Sequence, residues 1–277
     1  MAEGVATTTA SSLASSGIRA IPFAAWGWIA GAAYEARRFV LIPLLLAAWE
    51  LAVRGGWLNG DLVPPPSAVL RALRDLAASG MLWEDIGASI QRVTVGFGIA
   101  ATVGIASGLL LGRIRWLAFY VLPLVDLVRP ISVIAWIPLA ILWFGLGDRP
   151  AWFIIALGAF FPIFSNAYLG AVSVAEIHLR VARCFGAGRW LTLRKVLLPS
   201  ALPYILTGLR VGLGVGWMCV IAAELISSTS GLGYMIQLAR TTIETEKVLA
   251  GMVVVGLLGL CMNGIMLGLE RALVRRR

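Results

Sequence analysis

The sequence predicts an all-α polytopic membrane protein with six transmembrane helices and both termini in the cytoplasm. Three observations lead there. Hydrophobic residues make up 60% of the 277 positions and charged residues only 13%, whereas a soluble domain carries about a quarter charged. Several apolar stretches approach or exceed the roughly 20 residues that cross the hydrocarbon of a bilayer. The basic residues gather in alternate loops, as the positive-inside rule describes for a multi-pass chain.

The spans are expected at residues 39–53 (carrying Glu50), 93–112, within 116–145, 150–172, 203–226 and 248–269. The third stretch is too long for one straight span and is punctuated by Pro123, Pro130 and Pro138. Thirty-one glycines suit helices that approach closely in lipid. One set of alternate segments carries Arg19, Arg37, Arg38, Arg113, Arg115, Arg180, Arg183, Arg189, Arg194, Lys195, Arg271, Arg275, Arg276 and Arg277. The other set has half as many basic residues, each matched by an acid. The basic excess therefore marks the cytoplasmic side. The net charge of +9 is then a consequence of topology and gives no argument for nucleic acid.

Outside the spans the chain divides as follows. Residues 1–18 are rich in Ala, Ser and Thr and read as a disordered tail. Residues 19–38 hold a short apolar stretch with Trp26 and Trp28, read as a helix lying in the cytoplasmic interface. The transmembrane domain runs over 39–270, with an outer segment at 56–92, a cytoplasmic loop at 173–202, and a basic cytoplasmic tail at 271–277. In the outer segment Pro64, Pro65 and Pro66 form a stiff connector. Ser67 is the expected N-cap of an amphipathic helix whose apolar face is Val69, Leu70, Leu73, Leu76 and Ala77.

Composition also excludes several chemistries. Cys184, Cys219 and Cys261 are isolated, and His178 is the lone histidine, so neither a zinc site nor a disulfide framework is supported. No G-x-x-x-x-G-K-[ST] phosphate loop is present. A membrane-embedded enzyme lacks clustered His, Cys or paired carboxylates. Any work done with ATP must come from a partner, and the chain itself is expected to bind no cofactor and to hold no catalytic residue.

The most informative segment is Arg180-Val-Ala-Arg-Cys-Phe-Gly186-Ala-Gly-Arg-Trp-Leu-Thr-Leu-Arg-Lys-Val196-Leu-Leu-Pro199. Its residues describe a short helix, a break at Gly186-Ala-Gly188, and a second helix stopping at Pro199. The segment resembles the cytoplasmic signature of binding-protein-dependent (type I) ABC importer permeases, E-A-A-x-x-x-G-x(9)-I-x-L-P. Ala182, Gly186, Val196, Leu198 and Pro199 match in register, while Arg180 and Val181 stand where the pattern has Glu and Ala. Leu62-Val-Pro-Pro-Pro-Ser, Pro123-Leu-Val-Asp-Leu-Val-Arg-Pro130, Trp136-Ile-Pro-Leu, Leu142-Trp-Phe-Gly145, Gly208-Leu-Arg-Val-Gly-Leu-Gly-Val-Gly-Trp217 and Ala222-Ala-Glu-Leu-Ile are similar to the taurine, aliphatic sulfonate, nitrate and bicarbonate subfamily. The resemblance covers roughly residues 40–270.

It implies a multi-pass subunit of the cell inner (plasma) membrane that carries a small anion, taurine or an aliphatic sulfonate first, with nitrate or bicarbonate as alternatives. It implies a second copy of the chain, two cytoplasmic subunits that use ATP and Mg, an extracytoplasmic binding protein, and surrounding lipid. The ATPase contact is expected at Arg180, Ala182, Arg183, Gly186, Arg189, Val196, Leu198 and Pro199. An ATP-independent channel or secondary transporter fits less well, because there is no detectable internal repeat.

Charges at membrane depth face protein or a water-filled path. Asp126 and Arg129 lie on one helix face and either pair with each other or border the path. Arg210 sits on the cytoplasmic third of the fifth span, and Glu224 is about 21 Å further along it. Trp136 and Trp217 either line the path or pack. Gly231 and Gly233 are expected to take positive φ in an outer turn before Tyr234, which the resemblance puts near an outer gate.

Overall fold

The computed structural model describes residues 41–274. The expected tail at 1–18, the interfacial helix at 19–38 and residues 275–277 of the basic tail lie outside the described residues. The chain separates into two units, Met1–Leu58 and Asn59–Arg277. In the first, α1 covers residues 41–54, the described part of the expected first span. Glu50 pairs with Arg54 one turn later at 2.6 Å.

The second unit opens with α2 (Pro66–Ala78). Its N-cap is Pro65, so Ser67 lies inside the first turn and does not cap. Proline fits this first position because its missing N–H has no helical partner to lose. Val69, Ala72 and Leu76 are buried, with Leu73 and Ala77 packed beside them. Leu70, expected on that face, is 67% exposed, because it projects about 100° from Val69 on a 3.6-residue helix.

Three long helices form the core: α3 (Met81–Arg113), α6 (Asp148–Val172) and α9 (Leu198–Ser227). On α3 a small residue recurs every fourth position: Gly96, Ala100, Gly104, Gly108 and Gly112. A Cβ added to Gly96 would sit 2.7 Å from Ile155 Cβ, and one added to Gly108 would sit 2.7 Å from Ala167 Cβ. Gly104 faces Ile163 in the same series. Contacts therefore advance together along both helices, so α3 and α6 run parallel. On α9, Gly208, Gly212 and Gly216 repeat the spacing and meet Asn166, Ile163 and Ile155 in descending order, so α9 is antiparallel to α6. Without a hydrophobic drive between helices in lipid, close backbone approach at small residues is what joins them.

This geometry decides the middle of the chain. Arg113 ends α3 at one end of the bundle, and Asp148 begins the parallel α6 at the other. The intervening α4 (Arg115–Val128), 3-10 turn (Val133–Trp136) and α5 (Ile137–Phe144) must return across the full thickness. They form one crossing bent by 88°, with Pro130 in the break and Pro138 in the first turn of α5. Four single helices of the described residues are long and apolar enough to span, and this bent pair makes a fifth crossing.

After α6 come α7 (Glu176–Cys184), α8 (Arg189–Thr192) and a π-turn (Leu193–Leu197) that runs directly into α9. The helix does not stop at Pro199, contrary to expectation. Pro199 occupies the first turn of α9, and the wider π-turn places the Leu198 N–H on Leu193 O. The proline thus joins two helical segments without leaving a mid-helix hydrogen bond broken. The chain ends with α10 (Leu232–Thr241) and α11 (Thr245–Val274). Trp217 Nε1 donates to Val255 O at 3.1 Å, and Arg210 reaches Asn263, so α11 runs antiparallel to α9. Its C-terminal end lies at the same end of the bundle as α7 and α8.

Candidate functional site

Three places in the second unit carry chemistry or an exposed recognition surface. The first is the hairpin of α7 and α8. Val174, Leu179 and Leu197 are buried with Leu109, Ala167, Ala171, Ala201 and Ile205, so the hairpin is rooted in the ends of α3, α6 and α9. Its turn closes with Ala187 N–H on Ala182 O at 3.0 Å and Gly186 at φ +71°, a helix end that favours glycine. The outward side is apolar: Ile177 is 60%, Phe185 86% and Trp190 72% exposed. Arg180 pairs with Glu176 at 2.9 Å within α7. Ala182 and Val196 are half-buried and Leu198 is exposed. The side chains of Arg183 and Arg189 lie outside the described set.

The second place is a charged cluster at the opposite end, where α3 and α6 begin and α9 ends. Ser89, Arg92 and Glu224 are buried. Arg92 donates from Nε to Asp148 at 2.6 Å, from Nη1 to Glu224 at 2.7 Å and to Ser230 O at 2.6 Å, and from Nη2 to Ser230 Oγ at 2.7 Å. Glu224 also accepts from Ser89 Oγ at 2.8 Å and from Gly233 N–H at 2.9 Å. Leu232 N–H donates to Ser89 Oγ at 3.0 Å, and Gly231 N–H to Asp85 at 2.7 Å. The N–H groups of Gly231, Leu232 and Gly233 at the start of α10 are thereby accepted by side chains, and two carboxylates stand at its positive end.

The cluster revises two expectations. Gly231 does take positive φ, at +106°, but Gly233 does not; it lies in the first turn of α10. A Cβ there would meet Glu224 Cβ at 2.6 Å and Ile221 O at 2.7 Å, so its need is space. Tyr234 is half-buried beside it. Glu224 is held in the cluster with both carboxylate oxygens engaged by Ser89, Arg92 and Gly233. Sequence reading missed the roles of Ser89, Arg92, Asp85 and Asp148. Arg92 and Asp148 read as ordinary loop charges, because their partners are 56 and 132 residues away. The balanced acid and base counts of the outer loops were the one available signal.

The third place is a small cleft of about 40 Å³ between α9 and α11, lined by Arg210, Leu213, Gly214, Trp217, Gly259, Met262 and Asn263. It brings together Arg210 and Trp217 of the expected path residues. Trp217 is 7% exposed and mainly packs, with one edge on the cleft. Trp136 packs against the outer core. Asp126 and Arg129 form no ion pair with each other among the described residues; both are exposed, Asp126 in the last turn of α4 and Arg129 as its C-cap, just before the bend. Among the described residues no group of three His, Cys, Asp or Glu side chains gathers to hold a metal. Cys219 is buried, whereas Cys184 and Cys261 are exposed.

The profile of a family described as the binding-protein-dependent transport system inner membrane component matches residues 100–276. The chain belongs to this family. It is a multi-pass inner-membrane protein, the permease subunit of an ABC importer. The taurine transport system permease protein TauC of Escherichia coli is 37% identical over 240 residues, covering 85% of this chain and 86% of that relative. The putative aliphatic sulfonates transport permease protein SsuC of Bacillus subtilis is 34% identical over 253 residues, covering 91% and 89%. The nitrate import permease protein NrtB of Synechocystis is 31% identical over 247 residues, covering 86% and 89%. In fold, the permease resembles a chain of the inward-facing MetNI methionine ABC transporter, with a TM-score of 0.54, 20% identity, and coverage of 69% of this chain and 98% of that one. The taurine, sulfonate and nitrate subfamily suspected from the sequence is the one these relatives represent.

Proposed function

We propose that this permease imports a small oxoanion, taurine or an aliphatic sulfonate in the first place, delivered by an extracytoplasmic binding protein. Nitrate and bicarbonate are the alternatives within the same subfamily. The observation that carries the importer mechanism is the α7–α8 hairpin, rooted by Leu179 and Leu197 while Phe185 and Trp190 stand almost fully exposed. An apolar knob of this kind suits burial in a groove of a partner. The partner in this reading is a cytoplasmic ATPase, one per permease copy, which binds ATP and Mg. Ala182, Gly186, Val196, Leu198 and Pro199 shape the knob, and Arg180, Arg183 and Arg189 supply positive charge around it.

Six spans complete the reading: the five crossings described above and the span at 39–53, with both termini in the cytoplasm. Two copies enclose the path. ATP-driven closure of the ATPase pair moves the hairpins, and because each hairpin continues through the π-turn into α9, the motion passes directly to the core helix. Arg129 and Arg210 supply positive charge for an anion; Asp126 and Trp136 border the same route at the bend of the third crossing.

The test is co-expression with candidate ATPase subunits, purification of the complex, and measurement of ATP turnover with loaded binding protein and different anions. Stimulation by taurine or an alkyl sulfonate is the expected result. Stimulation by nitrate and not by taurine would move the substrate to the alternative. Assembly and transport untouched by a bulky residue at Gly186 would remove the hairpin from the coupling role.

A further inference from the structure

The two arginines held by core helices differ in how their donors are engaged. Arg92 uses all three of its nitrogens, on Asp148, Glu224 and Ser230. Arg210 makes one long hydrogen bond, Nε to Asn263 Oδ1 at 3.3 Å. Its Nη1 stands 3.7 Å from Glu270 Oε2, beyond hydrogen-bonding distance. That Glu270 oxygen is buried with no hydrogen-bond partner among the described residues. A guanidinium has five N–H donors, and most of those on Arg210 meet no acceptor within the described residues. Its side chain is 41% exposed and opens on the cleft between α9 and α11.

Depth makes this arrangement informative. Arg210 is about 18 Å along α9 from Leu198 and about 25 Å from the helix's outer end, within a helix long and apolar enough to span. A charged group at that depth facing lipid is costly, so this face borders protein or water. The cleft has the composition of an anion subsite. Arg210 presents parallel N–H groups that match the oxygens of a sulfonate, nitrate or carboxylate. Asn263 accepts from Arg210 through Oδ1, which leaves its amide N–H₂ to donate. Leu213, Met262 and the edge of Trp217 supply an apolar wall for a short stem. Gly214 leaves open space beside it, and Gly259 lets Trp217 pack close to α11.

We propose that this cleft is a transient anion subsite of the translocation path, with Arg210 as the anion contact and Glu270 as an internal counter-ion that the anion displaces. The proposal rests on the importer reading and adds a binding site to it. When an oxoanion enters, the guanidinium turns from Glu270 and pairs with it. When the anion leaves, Glu270 takes its place again, so the positive charge is never left bare and the anion is never held tightly. Conduction through a site requires this kind of weak, exchangeable binding.

The experiment uses the complete importer in proteoliposomes: this permease with its ATPase and binding protein. Uptake of labelled taurine, methanesulfonate, nitrate and bicarbonate is measured together with ATP hydrolysis. Arg210→Gln is expected to lower uptake about tenfold or more, the effect of losing charge-assisted hydrogen bonds, while the permease still co-purifies with its ATPase. Arg210→Lys, which keeps the charge without the paired donors, is expected between wild type and Arg210→Gln. Glu270→Gln is expected to lower the KM for anion uptake and to slow its maximal rate, because the anion then meets no competing carboxylate. A merely structural ion pair predicts that Arg210→Gln and Glu270→Gln fall together with KM unchanged in Glu270→Gln, and that result would overturn the subsite. Undiminished uptake by Arg210→Gln would overturn it too. If the wild type imports none of the four anions, the substrate class falls and the subsite with it, a failure visible before any variant is made.

Discussion

Arg92 and Glu224, 132 residues apart in sequence, form a buried ion pair of 2.7 Å where three core helices meet the loop before α10. Neither group is free to choose another partner: Ser89, Asp148, Ser230 and Gly233 complete the hydrogen bonds of the pair. Removing one member leaves the other charged and buried. Arg92→Ala or Glu224→Ala is expected to lower stability by about 3–5 kcal/mol, read as loss of helical signal on heating the protein in nanodiscs. The double variant Arg92→Met with Glu224→Leu is expected to lose less than either single change, because no buried charge is stranded; Asp148, which also loses Arg92, is half-exposed. Equal losses in the singles and the double would argue against the pair.

The contact between α3 and α6 depends on missing side chains. Gly108→Ala puts a Cβ 2.7 Å from Ala167 Cβ and 2.7 Å from Phe164 O, and the backbone oxygen cannot rotate away. The helices must part, and a destabilisation of about 1–3 kcal/mol is expected. Gly98, on the same helix, has open space at its Cβ. Gly98→Ala is expected to be neutral or to stabilise by up to about 1 kcal/mol, from helix propensity alone. Thermal unfolding of the two variants side by side checks the contrast.

At Gly186 the restriction is conformational. Its Cβ position is open, yet φ is +71°. Gly186→Val is expected to cost about 1–2 kcal/mol locally and to rotate the hairpin away from its partner, weakening co-purification of the ATPase. Gly186→Asn, which tolerates left-handed backbone, is expected to retain most of that association. Equal behaviour of the two variants would show that the turn conformation is irrelevant to docking.

Phe185 and Trp190 are 86% and 72% exposed. Phe185→Asp and Trp190→Ala are therefore expected to leave the stability within about 0.5 kcal/mol of wild type. Each is expected to weaken ATPase binding by about 2 kcal/mol or more if it is a central anchor. A pull-down titration against a candidate ATPase measures the latter.

Much of this protein was legible before any tertiary contact was known. The apolar runs located α3, α6, α9 and α11 because a span must satisfy its backbone within itself, and only a long helix does so. The spacing from Ala182 to Pro199 announced the hairpin, since a helix end with glycine is a local event. Ser67 and Leu70 were misread for local reasons as well: a two-residue shift of the helix start moved the cap to Pro65, and Leu70 lies off the buried stripe. The termination expected at Pro199 failed because a π-turn absorbs the missing N–H, and that alternative leaves no mark in residue type.

What only the tertiary structure decided is which distant groups meet. The sequence alone determined that this is a helical membrane protein with a hairpin at one end, since hydropathy, charge placement and turn residues act over a few neighbours. It could not tell that Arg92 is fully engaged by Glu224 and Asp148 while Arg210 is left with open donors beside a cleft. Hydrogen-bond satisfaction depends on atoms brought together across 53 to 138 residues, and two arginines in apolar helices look alike until those atoms are in place. The bent crossing of α4 and α5 had the same cause: its prolines were visible, but only the parallel packing of α3 and α6 shows that the chain between them must cross.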